Sequence, residues 1–289
     1  MAPPTTTRRH SRTPDRQLQK HLEGLYLSVT PSVVAIDSHF LGSKNWDLQN
    51  PVRHKTGVFV SPTTIVTSAD VVGRVFAEKP ADKCCAAAAA LHRSYIAHNF
   101  AITRDTHQPL RTNVLAVCFS HDVAVLEVVD VPPEGTWFTP CSIAKSPPEK
   151  GGVVMGVVHL ADMQFGMMPG HVRAVGEKTV KSKAPWPLDD GSGWVEFDSR
   201  QFNGGYPRSW SDLFTSKEAI TGIRPPFTGS PLFNGDGEFF GVASWGVTEK
   251  GTQHSVTYGA SLLQIMAALE YAKNKKPDDP IVMDTWIQG

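Results

Sequence analysis

Short runs of β-branched and apolar residues recur along this chain, each fenced by glycine, proline, serine or aspartate, and they leave room for little except β-structure. Such runs lie at residues 32–36, 56–60, 64–68, 114–119, 123–128, 153–158, 171–175 and 239–246. They are too short for helices that must bury an apolar face, and turn formers such as Ser61-Pro62 and Asn234-Gly235-Asp236-Gly237 separate them. A proline-rich connector, from Val131-Pro132-Pro133 to Pro147-Pro148, divides the runs into two groups. The pattern predicts two small β-barrels, with no visible internal repeat.

Two helices flank the strands. Leu18, Leu22 and Leu25 keep helical spacing over residues 16–28, and Pro31 stops that helix. Leu262, Ile265, Met266 and Leu269 repeat at the same spacing near the end, predicting a C-terminal helix packed on the second barrel. Residues 80–98 are ambiguous: Ala86 to Ala90 favour helix, whereas a barrel would place a loop or a short helical insertion there. Residues 182–215 are rich in Gly, Pro, Ser and Asp and predict a long loop. The expected divisions are a tail or transit segment at 1–15, a helix and first barrel at 16–135, and a linker at 136–152. A second barrel and helix follow at 153–273, with a tail at 274–289.

Charge and cysteine content set limits. The 289 residues hold 28 basic and 28 acidic side chains, so nothing pulls the chain toward nucleic acid or an anionic membrane. No apolar run reaches the length of a membrane span. Cys84, Cys85, Cys118 and Cys141 make no metal-type spacing, and adjacent cysteines bridge only under strain. With no Asn-x-Ser/Thr sequon, this predicts an intracellular setting, cytoplasmic or nuclear. Arg8, Arg9, Arg12 and neighbouring Ser and Thr residues precede the first acid, Asp15. The alternative is therefore a chloroplast or mitochondrial transit segment. The absence of an apolar stretch there argues against a secretory signal.

Three segments together resemble the trypsin-like serine proteases of HtrA/Deg type. Gly57-Val58-Phe59-Val60 followed by Ile65-Val66-Thr67-Ser68-Ala69-Asp70-Val71-Val72 is similar to the stretch around the family's catalytic histidine, whose place Asp70 takes. His121-Asp122-Val123-Ala124-Val125-Leu126 resembles the segment of the acidic triad member, with Asp122 in that place. Pro226-Phe227-Thr228-Gly229-Ser230-Pro231-Leu232 resembles the nucleophile turn, and Ser244-Trp245-Gly246 the following strand. Registered on Pro231, Thr228 holds the serine position and Pro226 that of the oxyanion-hole glycine. A Ser-Val-Val run at Val33 fits as well. The resemblance covers about residues 25–270 and implies an all-β fold of two six-stranded antiparallel β-barrels with a C-terminal helix. No PDZ-like segment is read after it, so the expectation is a protease domain alone.

The resemblance implies a site whose chemistry is broken. The triad needs an imidazole that takes the nucleophile's proton and returns it to the leaving group. A carboxylate at Asp70, with an ordinary pKa of about 4, is a feeble base near neutrality. Losing either the histidine or the serine costs on the order of a millionfold in the subtilisin series. Thr228 keeps a hydroxyl but adds a methyl group in a cramped turn. Pro226 has no N–H to offer an oxyanion, a further loss of roughly 3–4 kcal/mol. Phe227 stands where the family has a polar residue. The expected role is a catalytically inactive protease homologue with a peptide-binding or regulatory role; the alternative is an active serine endopeptidase.

Other residues have plainer readings. Ser230 precedes Pro231, which biases it to an extended conformation unsuited to a nucleophile. His121, next to Asp122 on a strand, would face away from it as a solvated or core histidine. Asp122 itself either serves the site or holds backbone N–H groups between the barrels. Asp70 and Asp122, if close, would raise one another's pKa or recruit a cation. Ser244, Trp245 and Gly246 either pair with an extended peptide, as the resemblance implies, or are barrel core. Gly222 lies near where the family shapes its specificity pocket. His92, His98 and His107 lack ligand spacing, and Met163, Met167 and Met168 read as packing. No cofactor or metal is expected. The expected partners are an extended peptide or protein segment and homo- or hetero-oligomers with related proteases, not nucleic acid or membrane.

Overall fold

The apolar runs pair edge to edge and close into two rings, seen here in a computed structural model. It describes residues 16–40, 53–71, 96–103, 109–129, 139–158, 165–175, 194–198, 228–248 and 255–281, and residue 283. The first barrel comprises β1 (Val33–Phe40), β2 (Arg53–Phe59), β3 (Thr64–Thr67), β4 (Ile96–Thr103), β5 (Pro109–Cys118) and β6 (Val123–Val128). The second comprises β7 (Val153–Val158), β8 (Gly166–Val175), β9 (Trp194–Asp198), β10 (Pro231–Phe233), β11 (Phe239–Thr248) and β12 (Ser255–Ala260). Every pairing is antiparallel. The expected fold of two six-stranded barrels is thus the one found.

The ring order of the first barrel is β1-β2-β3-β6-β5-β4, and the second repeats it as β7-β8-β9-β12-β11-β10. The chain therefore carries a structural repeat that its residues do not display. Each barrel has its own interior. Val34, Ile36, Phe59, Ile65, Val117, Ala124 and Leu126 fill the first. Val154, Val158, Met168, Leu232, Phe240 and Ala243 fill the second. A third cluster joins the outer faces: Val33, Val58, Val66 and Val125 of the first barrel meet Met155, Val157, Phe233, Phe239 and Val242 of the second. Strands at this junction are buried on both faces, so they read as unbroken apolar runs rather than alternating ones. β6 shows it: Val123 and Val125 face the junction, Ala124 and Leu126 face inward, and Glu127 is exposed.

Two strands depart from the sequence expectation. β4 begins at the edge of the ambiguous 80–98 patch and completes the first barrel through β1 and β5. β9 lies inside the expected 182–215 loop and bridges β8 to β12. Polar residues such as His98 and Asn99 in β4, and the Gly- and Ser-rich flanks of β9, hide them from an apolar-run criterion.

The helices cross between the barrels. Helix α1 (Arg16–Val29) runs into a short 3-10 turn, Thr30–Ser32, that holds Pro31 at its second position. Tyr26 donates to the carbonyl of Phe165 (2.5 Å), and Leu25 and Val29 face Gly237 of the β10–β11 hairpin. In that hairpin Asn234 Oδ1 accepts from the amides of Asp236 (3.0 Å) and Glu238 (2.9 Å), and Gly237 supplies the positive φ of +82°. Helix α2 (Leu262–Asn274) corrects the expectation of a second-barrel docking site: it lies chiefly on β5 and β6 of the first barrel, with a lesser contact to β11. Ile265 and Ala268 are its buried stripe, while Met266 is exposed. The small side chains Ala116 and Cys118 on β5, with Val123 and Val125 on β6, make the seat for it. The connector between the barrels is pinned as well: the amide of Cys141 donates to Phe59 (2.9 Å) and that of Ala144 to Phe239 (2.9 Å).

The final segment is not a loose tail where it is described. Ile281 accepts from the Val117 amide (2.8 Å), and the Met283 amide donates to the Val117 carbonyl (2.8 Å). Both side chains are drawn to the cores, with Met283 in the junction cluster and Ile281 against the first-barrel interior.

Close packing dictates one stability outcome. A Cβ at Gly259 would sit 2.6 Å from the Val242 carbonyl oxygen and 3.0 Å from Leu232 Cδ1, and the backbone cannot yield cheaply. Gly259→Ala should lower unfolding free energy by about 1–3 kcal/mol, read as a reduced urea midpoint with an unchanged slope. Burial also pushes the Cys141 thiol up to about 12, against a smaller opposing backbone hydrogen bond. The folded value exceeds the unfolded one, so the thiol stays protonated. Its contribution to stability is whole below the ordinary thiol pKa of about 8.5 and declines as pH rises beyond it. Peptide-resolved alkylation at pH 8 should modify Cys141 about tenfold or more slowly in the folded chain than in urea.

Candidate functional site

Three loops meet at the junction of the barrels. The first follows β3, where Ser68 leads into the 3-10 turn Ala69–Val71 and the amide of Val71 closes back on the Ser68 carbonyl (3.1 Å). Asp70 is the middle residue of that turn; its side chain lies outside the described residues. The second loop joins β5 to β6. Asp122 takes a left-handed φ of +56° there, with its amide on the Phe119 carbonyl (3.3 Å). Aspartate is among the few non-glycine residues that tolerate this region. The third is the turn Thr228-Gly229-Ser230 before β10.

β11 ties them together. Its register against β12 shifts between Ala243 and Trp245, leaving Ser244 as the extra residue of a bulge. Ser244 Oγ donates to Asp122 Oδ2, and Ser68 Oγ donates to Asp122 Oδ1 (2.7 Å). The Ser244 carbonyl accepts from Thr228 Oγ1 (2.9 Å). Ser68, Asp122, Thr228 and Ser244 are all fully buried. Gly229 holds a φ of +93°, and a Cβ there would lie 2.7 Å from the Thr56 carbonyl oxygen, so only glycine brings the turn this close to β2. Its amide donates to Ala243 (2.8 Å), and the Ala243 amide donates to the Ser230 carbonyl (2.8 Å).

The sequence-derived positions are therefore gathered as follows. Asp122, Thr228 and Ser244 share one hydrogen-bonded chain, and Asp70 sits two residues from Ser68, a member of it. Trp245 and Gly246 place their backbones opposite Tyr258 and Thr257; the Trp245 side chain lies outside the described residues. Pro226, Phe227, Gly222, His92, His107 and Met163 also lie outside the described residues. Ser230 is buried, and its hydroxyl makes no hydrogen bond among the described residues. His121 is a buried histidine, not a solvated one. It and Asp122 occupy a turn, so strand alternation is not what separates them. The His121 Nδ1 lies 3.0 Å from Ser120 Oγ and 3.5 Å from Cys118 Sγ. Met167 and Met168 pack in the cores. Among the described residues no cluster of His, Cys, Asp and Glu has the makings of a metal site.

Ser68 was not anticipated. The signal for it was slight: a hydroxyl residue directly after an apolar strand and directly before the Ala-Asp turn.

The chain belongs to the trypsin-like peptidase domain family, whose pattern it matches over residues 55–242. It is also similar in fold to solved serine proteases. The Rv3671c protease from M. tuberculosis, in its active form, aligns with a TM-score of 0.57 at 18% identity, over 96% of this chain and 97% of that one. The HtrA-type protease AlgW, in a variant solved with a tripeptide, aligns with a TM-score of 0.57 at 12% identity, over 86% of this chain and 62% of its own. The serine endoprotease from Yersinia pestis gives 0.55 at 14% identity, over 88% and 67%. No curated protein matches the chain.

The Asp122 carboxylate is the electrostatic centre of this arrangement, buried and accepting a donor from each barrel. Asp122→Ala removes the acceptor of two buried serine hydroxyls at once. It should lower stability by about 2–4 kcal/mol, and Ser68→Ala by less, in urea unfolding.

Proposed function

We propose that this chain is a trypsin-like fold that binds extended peptide without cleaving it, acting as a regulatory or adaptor partner of related proteases. One observation carries the reading: the Thr228 hydroxyl donates to the Ser244 carbonyl. A nucleophile must hand its proton to a base, and an amide carbonyl is none. Asp70 stands at the histidine position with a carboxylate, and Pro226 offers no N–H at the oxyanion position. Asp122 accepts from two serine hydroxyls, a use of the carboxylate that needs no imidazole.

The binding edge is the half of β11 beyond Ser244. β10 pairs with it only as far as Val242, and among the described residues no strand pairs with Ser244 to Thr248 on that side. An extended peptide adds to such an edge through backbone bonds alone, which survive the loss of a nucleophile. The tripeptide bound to the HtrA-type neighbour is consistent with ligands of that kind. Oligomers with related proteases and an intracellular setting belong to the same proposal.

The alternative, an active endopeptidase, is separated by a fluorophosphonate probe. The unmodified chain should not label, and casein should remain intact. The triple variant Asp70→His, Thr228→Ser, Pro226→Gly should gain labelling if the groove is otherwise whole. Casein cleavage by the purified chain, abolished by Thr228→Ala, would overturn the reading. A screen of extended peptides that returned no binder would remove the peptide-binding half of it.

A further inference from the structure

The repeated topology allows the two barrels to be compared strand by strand. β5 and β11 are the fifth strands of their rings. Each pairs with the fourth strand over its first part only: β5 with β4 from Pro109 to Thr112, and β11 with β10 from Phe239 to Val242. Each then passes a register shift against the sixth strand, between Val114 and Ala116 in β5 and between Ala243 and Trp245 in β11. Leu115 is thus the counterpart of Ser244, Ala116 of Trp245, and Val117 of Gly246. Beyond Thr112 no described strand pairs with β5 on the β4 side, the arrangement proposed above for peptide binding on β11.

That edge is occupied. Val117 spends its N–H on the Ile281 carbonyl and its C=O on the Met283 amide, both at 2.8 Å. Bonds from one residue to two positions flanking a third are the pattern of a parallel ladder. The connection from α2 is short and ordered by a turn in which the Lys276 amide donates to Asp279 Oδ2 (2.8 Å) and Tyr271 donates to the Pro280 carbonyl (2.5 Å). Among the described residues, the hold on β5 is two backbone bonds and two apolar side chains, Ile281 partly buried and Met283 buried.

We propose that the β5 edge centred on Val117 is a second strand-binding site, matching the Gly246 edge of the other barrel. Its resident ligand is the chain's own C-terminal segment around Ile281 and Met283, held as a displaceable strap. The site selects a short extended segment with apolar side chains two residues apart, running parallel to β5. The same segment of a second copy satisfies it equally. Release of the strap frees Val117, whose strand leads into the turn at Phe119, the acceptor for the Asp122 amide. The proposal stands whether or not β11 binds a peptide.

The test uses the full chain carrying Ile281→Asp and Met283→Asp, and a fluorescent peptide with the sequence of residues 276–289. The peptide should bind the double variant roughly tenfold or more tightly than it binds the unmodified chain, and M283D in the peptide should cost a similar factor. A folded double variant that ignores the peptide overturns the proposal. So does equal binding of the wild-type and M283D peptides. Should the double variant not fold, amide exchange in the unmodified chain decides. Val117 and Met283 should exchange together, about tenfold or more faster than the slowest amides of β6. Exchange of both at the rate of those slowest amides would mean the segment leaves only on global unfolding, and the site would not exist.

Discussion

The carboxylate of Asp122 is the tie on which the junction of the two barrels depends. Removing a charge from water is costly unless donors replace the lost hydration. Here Ser68 donates from the first barrel and Ser244 from the second, so seating the barrels together brings donors from both halves to one buried carboxyl group. The left-handed turn at Asp122 and the bulge at Ser244 both serve this end, one aiming the carboxylate and the other freeing the serine from the ladder. An aspartate is therefore demanded by the architecture at this point, before any question of catalysis. Its presence is thus no guide to activity.

The apolar junction works in the same direction. Val33, Val58 and Val125 are shared with Phe233, Phe239 and Val242 in one cluster, and removing either barrel would expose the other's half of it. The helices reinforce the coupling by crossing: α1 reaches the β10–β11 hairpin, and α2 covers β5 and β6. A short proline-rich connector in the sequence thus joins halves that are stitched at both ends and along the seam.

What the residues disclose follows from how each signal arises. Junction strands such as β6 and β7 are apolar on both faces and were plain in the sequence. β4 and β9 were not, because their polar residues interrupt the run that the criterion seeks. The shared ring order was invisible, since topology is set by which edges meet and not by side-chain identity. At the site, Asp122, Thr228 and Ser244 were legible through the spacing of three motifs, and the structure strings them on one set of hydrogen bonds. Ser68 was not, because a serine after a strand is ordinary until a buried acceptor is found opposite it. The docking of α2 was misread because helical periodicity gives a buried stripe and not its partner. Small residues on β5 rather than proximity in the chain chose the surface.

A closed barrel whose fifth strand outruns the fourth creates an edge by construction. Exposed edges invite unwanted pairing and are normally covered or put to use. The two barrels resolve the same geometrical problem differently. At Val117 the chain supplies its own segment, whose two bonds close the edge with material already at hand. At Gly246 the equivalent backbone pairs with β12 on one side, while on the other no described strand approaches. The repeat makes the contrast meaningful, because strand order and the bulge position are alike while the described occupants of the two edges differ. The peptide binding proposed for β11 would thus need nothing beyond an edge that no described strand fills. It would also be separable from the chemistry of the nearby turn, because backbone pairing uses neither the Thr228 hydroxyl nor the Asp70 carboxylate.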